Sequence, residues 1–371
     1  MSTAAVDLAT IRNQTLAEVA EESGSLLLEG EALRQHWDAP EEEPEVLLNT
    51  QGHGLFYRGA VNVLAGDSGT GKSLLAFEAV RQEIAFGRNA LLLDFEQNPS
   101  RNLQRARDLG LPWETVRDRL KVLDYRGFVS ADLWEEVLKL SLGVVIVDSF
   151  TAAYGALSKV TDSNSGDLIE RFMNRRPRVL SRRTGAAVIV IDHKPKASTQ
   201  SRGSIGSERK LSGVQGAVYT AEAILTPAPE ALGQIRLVLD KDNAGAIKKR
   251  LSADREKYSM TQEAAFVEVD SRPFTGNDAP TVIRIQPPRS LGERKAEKFD
   301  EVAEVLTGAL SSNGGTITSR KAVEDALKAA GAGLKHETVL ELLEHGTARG
   351  LWSVERIGEH KTAPLRVTLV P

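Results

Sequence analysis

Cysteine is absent from the chain. Disulfides and thiolate metal sites are therefore excluded, and a reducing cytoplasm is the natural setting. Long apolar runs are missing too. No stretch of about 18 apolar residues occurs, so no transmembrane helix is expected. The opening residues Met1 to Asp7 have neither a basic region nor an apolar core, which argues against a signal peptide. Excess positive charge is also lacking: 47 Lys and Arg stand against 51 Asp and Glu, for a net charge of −4. Contact with nucleic acid cannot be argued from bulk charge and must rest on a local patch. The length of 371 residues allows one large domain and a smaller one.

The strongest positive signal is Gly66-Asp67-Ser68-Gly69-Thr70-Gly71-Lys72-Ser73, a complete G-x-x-x-x-G-K-[ST] loop. An apolar run, Ala60 to Ala65, precedes it, and Leu74, Leu75, Phe77, Glu78 and Val80 begin a helical pattern after it. Strand, glycine loop and helix form the arrangement that phosphate binding needs. Glycines permit close backbone approach, and the N–H groups of the loop and helix N-terminus surround an anion. Lys72 would supply a point charge to the β- and γ-phosphates, and the Ser73 hydroxyl would ligate Mg²⁺. The expected ligand is a nucleoside triphosphate, ATP with Mg²⁺.

The first fifty residues make a poor core. Between Glu21 and Glu45, nine acidic residues face one basic residue, Arg34, which reads as a solvated acidic linker after a short helix near Ala9 to Glu21. From 51 to 288, apolar runs alternate with amphipathic stretches. The runs Val61–Ala65, Ala90–Phe95, Lys121–Leu123, Val144–Val147 and Ala187–Ile191 read as parallel strands covered on both faces. Helices are expected at Ser100–Leu109, Ala131–Leu140 and Asp167–Arg182. Strands at Ala217–Leu225, Gln234–Leu239, Ala265–Val269 and Val282–Ile285 follow with shorter gaps, as an antiparallel extension would. The fold class is α/β, a RecA-type P-loop core with a central, mostly parallel sheet. Pro287-Pro288 ends it, and a charged connection, Arg289 to Lys298, leads into 289–371. There, helices from Phe299, from Ser319 and over His336 to His345 precede a hairpin of Leu351–Arg356 and Leu365–Val370. Three helices and a hairpin predict a small winged helix.

Val144 to Asp148 is an apolar strand ending in a carboxylate, the expected partner of the phosphate loop, and Asp148 would hold the Mg²⁺ shell beside Ser73. The next residue is Ser149, so the water-activating base must come from elsewhere. Glu96, just after the strand Leu91 to Phe95, is the first candidate, with Asp94 as its competitor. His193 ends another strand at the same edge, where it can contact the γ-phosphate. After it comes a long basic stretch with Lys194, Lys196, Arg202, Arg209 and Lys210 against the single acid Glu208. Gly203, Gly206 and the lack of apolar periodicity predict a mobile loop suited to gripping a DNA backbone. It holds no aromatic residue, so base stacking there is not supported.

Gly66–Ser73, Leu93-Asp94-Phe95-Glu96, Val145–Asp148, Asp192-His193-Lys194 and Arg202-Gly203-Ser204 together resemble the RepA group of RecA-like ring helicases of plasmids and phages. The resemblance covers roughly residues 50 to 250. It implies a hexameric ring with nucleotide between subunits, single-stranded DNA in the channel and a role in DNA replication. It implies that Lys72, Ser73 and Asp148 bind Mg-ATP, that Glu96 activates water and that His193 is a sensor. Related rings carry Lys-x-Arg-x-Gly as a trans-acting finger. Here the stretch is Lys241-Asp242-Asn243-Ala244-Gly245, so Lys241 keeps its place, Asn243 replaces the arginine, and Arg202 or Arg250 are left to supply a guanidinium. The alternative is a RecA-like ATPase that loads or remodels proteins on DNA in recombination or repair. From Lys335 to Pro371, five basic and five acidic residues balance, so this part fits wing contacts with DNA through Arg356 and Lys361 or docking of a replication or recombination protein.

Overall fold

The computed structural model describes residues 29–125, 129–153, 173, 176–193, 213–251, 262–273, 281–334, 336–358 and 364–370. The expected helix near Ala9 to Glu21 and the basic stretch from Lys194 to Lys210 lie outside these residues, as do Lys335 and Lys361. The chain divides into two compact units, Met1–Glu42 and Glu43–Pro371. In the first, α1 (Glu31–Trp37) is helical where a solvated linker was expected. None of its residues is buried, and an Arg34–Asp38 ion pair spans one turn of it.

The second unit is built on a nine-stranded sheet. Its strands are β1 (Val61–Gly66), β2 (Asn89–Asp94), β3 (Leu120–Asp124), β4 (Leu142–Asp148), β5 (Ala187–His193), β6 (Ala217–Leu225), β7 (Leu232–Asp242), β8 (Gln262–Asp270) and β9 (Val282–Gln286). Their order is β3-β2-β4-β5-β1-β6-β7-β8-β9. Pairing is parallel from β3 through β6 and antiparallel from β6 to β9. The connections explain the change. Helical crossovers between the early strands allow parallel neighbours, whereas the short connection from β6 to β7 permits only a hairpin.

Every residue of β1 and of β4 is buried, because alternate side chains feed two different cores. Leu64, Leu92, Ile146 and Ile189 pack with Leu75, Phe77 and Val80 of α2 (Lys72–Ala85). Val63, Leu91, Val145 and Val188 pack on the other face with Leu138 of α5 (Ala131–Leu138) and Leu180 of α6 (Pro177–Thr184). Strand β7 buries only alternate positions such as Ile235, Leu237 and Leu239, so it is packed on one face. The helices α3 (Pro99–Asp108) and α4 (Trp113–Arg119) fill the crossover from β2 to β3, and the short α7 (Ala246–Arg250) follows β7.

The sheet domain begins before position 51. Val46, Leu47, Leu55, Phe56 and Tyr57 are at most 2% exposed, and each such side chain contributes about 2 kcal/mol by leaving water. This strap is therefore part of the core. A bridge between Val46 and Phe56 closes it. Arg58 ties it to α2 through both carboxylate oxygens of the buried Glu83, at 2.7 and 2.8 Å.

The C-terminal segment has its own apolar cluster. It contains α8 (Leu291–Ser312), β10 (Thr316–Thr318), α9 (Arg320–Ala329), α10 (His336–Ala348), β11 (Trp352–Arg356) and β12 (Leu365–Leu369). The three strands order as β10-β12-β11, all antiparallel. The stretch after Arg289 is helical from Leu291 onward rather than a linker. Ser290 accepts the Glu293 N–H, and the Glu293 carboxylate accepts the Ser290 N–H, a complete capping box. Trp352 fills the cluster and donates its indole N–H to Leu343 O at 3.0 Å. A Cβ on Gly346 would stand 2.0 Å from the Trp352 ring, so only glycine lets helix and indole approach this closely. Arg289 anchors the segment to the sheet through the buried Glu263, with Nη2 2.8 Å from the carboxylate.

Candidate nucleotide site

The loop between β1 and α2 is shaped by its glycines. Gly71 has φ +82°, and a Cβ there would lie 2.6 Å from Ile235 Cδ1; at Gly66 a Cβ would lie 2.4 Å from Ala221 O. Both positions require glycine because the β6–β7 strands press against the loop. Thr70 closes the turn by donating its hydroxyl to Asp67 O at 2.9 Å. Lys72, the first residue of α2, turns back and donates its ammonium to Gly66 O at 2.9 Å and Asp67 O at 2.5 Å. Burial lowers its pKa, opposed by the negative charges of Asp67, Asp148, Asp192 and Glu96. A loop of backbone N–H groups at a helix N-terminus, with a buried cation at its centre, fits a polyphosphate. Gly66 to Ser73 would hold that group.

Asp148 ends β4 beside this loop, with Oδ2 3.4 Å from Ser73 Oγ. Burial raises the pKa of Asp148. The nearby Glu96 and Asp94 charges add to the rise, and Arg105 and the Ser73 hydroxyl oppose it. A hydroxyl and one carboxylate suit Mg²⁺, which draws its remaining ligands from water and phosphate. Among the described residues no cluster of three or more His, Asp or Glu side chains forms a metal site by itself.

The two acids at the end of β2 have different environments. Asp94 pairs in register with Asp148, is wholly buried and accepts the Asn98 N–H at 2.9 Å through Oδ2. Glu96 lies two residues beyond the strand and is exposed. Solvent therefore reaches Glu96, while Asp94 Oδ2 is held at the start of α3 and the buried Oδ1 has no hydrogen-bond partner among the described residues. His193 is exposed at the end of β5, in register with Gly66. Its N–H donates to Asp192 Oδ1 at 2.9 Å.

Lys241 is not brought to this loop. It pairs with Val218, which pairs with Val63, three residues before Gly66. That places it about 10 Å back along the strand direction. Its ammonium donates to Val214 O at 3.1 Å, and burial together with Lys248 lowers its pKa. Arg250 holds the strap of its own chain, donating to Gly54 O at 2.9 Å and lying 3.6 Å from Glu43. Lys194, Lys196, Arg202, Arg209 and Lys210 lie outside the described residues.

One residue of the site was not expected from sequence. Arg105, on α3, places Nη1 3.6 Å from Asp148 Oδ2. Nothing in the local pattern distinguishes it from Arg101 or Arg107, because its role depends on α3 folding back over the strand ends.

A family model described as "AAA domain" matches residues 31–199, a span that takes in the phosphate loop, Glu96, Asp148 and His193. Among solved structures, a KaiC-like protein from the hyperthermophilic archaeon Pyrococcus horikoshii is similar at 13% identity and a TM-score of 0.44, covering 67% of this chain and 100% of that one. No curated protein matches the chain. The loop, its carboxylate partner and the family match support a P-loop ATPase core, and the large, mostly parallel sheet is consistent with a RecA-like domain. No helix among the described residues is long and apolar enough to cross a membrane.

Proposed function

We propose that this chain is an ATP-driven helicase or translocase that acts on single-stranded DNA during replication, in the cytoplasm, as a hexameric ring. The observation that carries this reading is the convergence at one sheet edge of the phosphate loop, the exposed Glu96 and the exposed His193. The chain leaves His193 directly into the basic stretch of Lys194, Lys196, Arg202, Arg209 and Lys210. A histidine beside the terminal phosphate can report its loss to a loop that holds a nucleic-acid backbone.

Bound ATP would supply the phosphoanhydride whose cleavage drives the cycle, and Mg²⁺ would supply positive charge against the phosphates. Lys72 and the loop N–H groups bind and orient the phosphates. Ser73 and Asp148 would hold the metal. Glu96 takes a proton from the attacking water, a task that its exposed position permits, with the buried Asp94 as its competitor. Lys241 is directed away from its own loop and acts in trans on a neighbour's nucleotide. The C-terminal segment is a winged helix. Its third helix exposes Glu341 and Glu344, which repel phosphate, so it docks a replication or recombination protein in preference to entering a major groove.

A forked-duplex unwinding assay, run with DNA-stimulated ATP hydrolysis and a mass measurement in the presence of nucleotide, tests the reading. Strand displacement by an oligomer supports it. Active DNA-stimulated hydrolysis without strand displacement would replace it with the loader or remodeller, and hydrolysis indifferent to DNA would remove the nucleic-acid role.

A further inference from the structure

Arg105 occupies a position that its own helix sets. Asp94 Oδ2 accepts the N–H of Asn98 at 2.9 Å, and the Asn98 side chain caps α3 by accepting the Arg101 N–H at 3.2 Å. Seven residues later, two helical turns on, Arg105 lies over the ends of β2 and β4. Its side chain is only 16% exposed. The Asp148 oxygen it approaches is the one that also faces Ser73 Oγ. Burial lowers the pKa of Arg105, opposed chiefly by the Asp148 charge and further by Glu96 and Asp94, so all three acids of this edge act on the guanidinium.

The pairing has features that a purely structural ion pair lacks. A fork-on-fork Arg–carboxylate pair places two N–H donors within about 2.9 Å of the oxygens. Here the approach to Asp148 is 3.6 Å, and among the described residues the only hydrogen bond from the guanidinium goes from Nη1 to Asn102 Oδ1. The Nε and Nη2 donors therefore remain available inside the site. A fork of donors beside a metal-binding carboxylate and a phosphate loop matches the terminal phosphate of a nucleoside triphosphate.

We propose that Arg105 is a cis-acting γ-phosphate contact, which distinguishes ATP from ADP when nucleotide binds. This rests on the reading of the site as an ATPase site. The test is titration of the full chain with fluorescent ATP and ADP analogues in Mg²⁺, beside kcat and KM for hydrolysis, for the wild type, Arg105→Ala and Arg105→Lys. The expected result is ATP affinity about tenfold weaker in both variants, with ADP affinity within about twofold of wild type and kcat reduced. A lysine keeps the charge but not the fork, so the lost discrimination should persist while thermal stability stays at the wild-type level. If Arg105→Ala does not fold, Arg105→Lys alone decides the matter by its ATP-to-ADP ratio. Equal weakening of ATP and ADP, or unchanged affinity for both, would overturn the proposal and leave Arg105 as a structural counter-ion. A wild-type chain that binds neither nucleotide would instead overturn the ATPase reading beneath it.

Discussion

Ser73 Oγ stands 3.4 Å from Asp148 Oδ2, although 75 positions separate the two residues in the chain. The contact joins the end of the phosphate loop to the end of β4. It depends on both strands ending at the same edge of a parallel sheet, where β5 alone lies between them. Ligands of open α/β sheets bind outside the carboxyl ends of the strands for this reason.

Lys72→Ala removes the one cation at the centre of the loop. The expected outcome is loss of measurable Mg-ATP binding in a fluorescence titration, with hydrolysis at background. Retained affinity would mean that the loop does not hold the triphosphate.

Glu96→Gln keeps shape and polarity but cannot accept a proton. It should bind ATP within a few-fold of wild type and turn over at least about 100-fold more slowly. Near-normal turnover would move the base elsewhere, and Asp94→Asn, measured in parallel for both activity and folding, would show whether the buried acid is involved.

Asn62→Ala tests the scaffold rather than the chemistry. Its amide accepts N–H bonds from Tyr57 at 3.1 Å and Ala217 at 3.0 Å, and donates to the carbonyls of Tyr57 and Ala60. All of these groups lie in the core, so truncation should cost on the order of 3 kcal/mol in urea unfolding. A loss below about 1 kcal/mol would mean that water replaces the amide.

Neutralising Lys194, Lys196 and Arg202 together should weaken single-stranded DNA binding and flatten its dependence on salt, because fewer counterions are released. The measurement is the slope of log K against log salt concentration. An unchanged slope would make the loop a bystander.

The legible parts of this protein were those encoded in short, continuous stretches. The loop Gly66 to Ser73 carries its glycines, lysine and serine at fixed spacing. The near-continuous apolar runs of β1, β4 and β5 announced a sheet covered on both faces. The Ser290–Glu293 capping box was equally legible in principle, but its charged surroundings read as a linker. Strand β10, three residues long, is too short for periodicity to register. The helicity of the exposed α1 likewise left no apolar stripe to read.

Sequence alone determined that the chain has a phosphate loop, a carboxylate-ended strand after it and a C-terminal segment of helices and short strands, because each is written in neighbouring residues. Tertiary structure decided the surroundings of the acids and bases. Asp94 and Glu96 are two positions apart, yet one is sealed beneath α3 and the other meets solvent. Arg105 reaches Asp148 only where α3 folds back over β4. Burial and distance in a folded sheet edge are sums over remote segments, and no local spacing contains them.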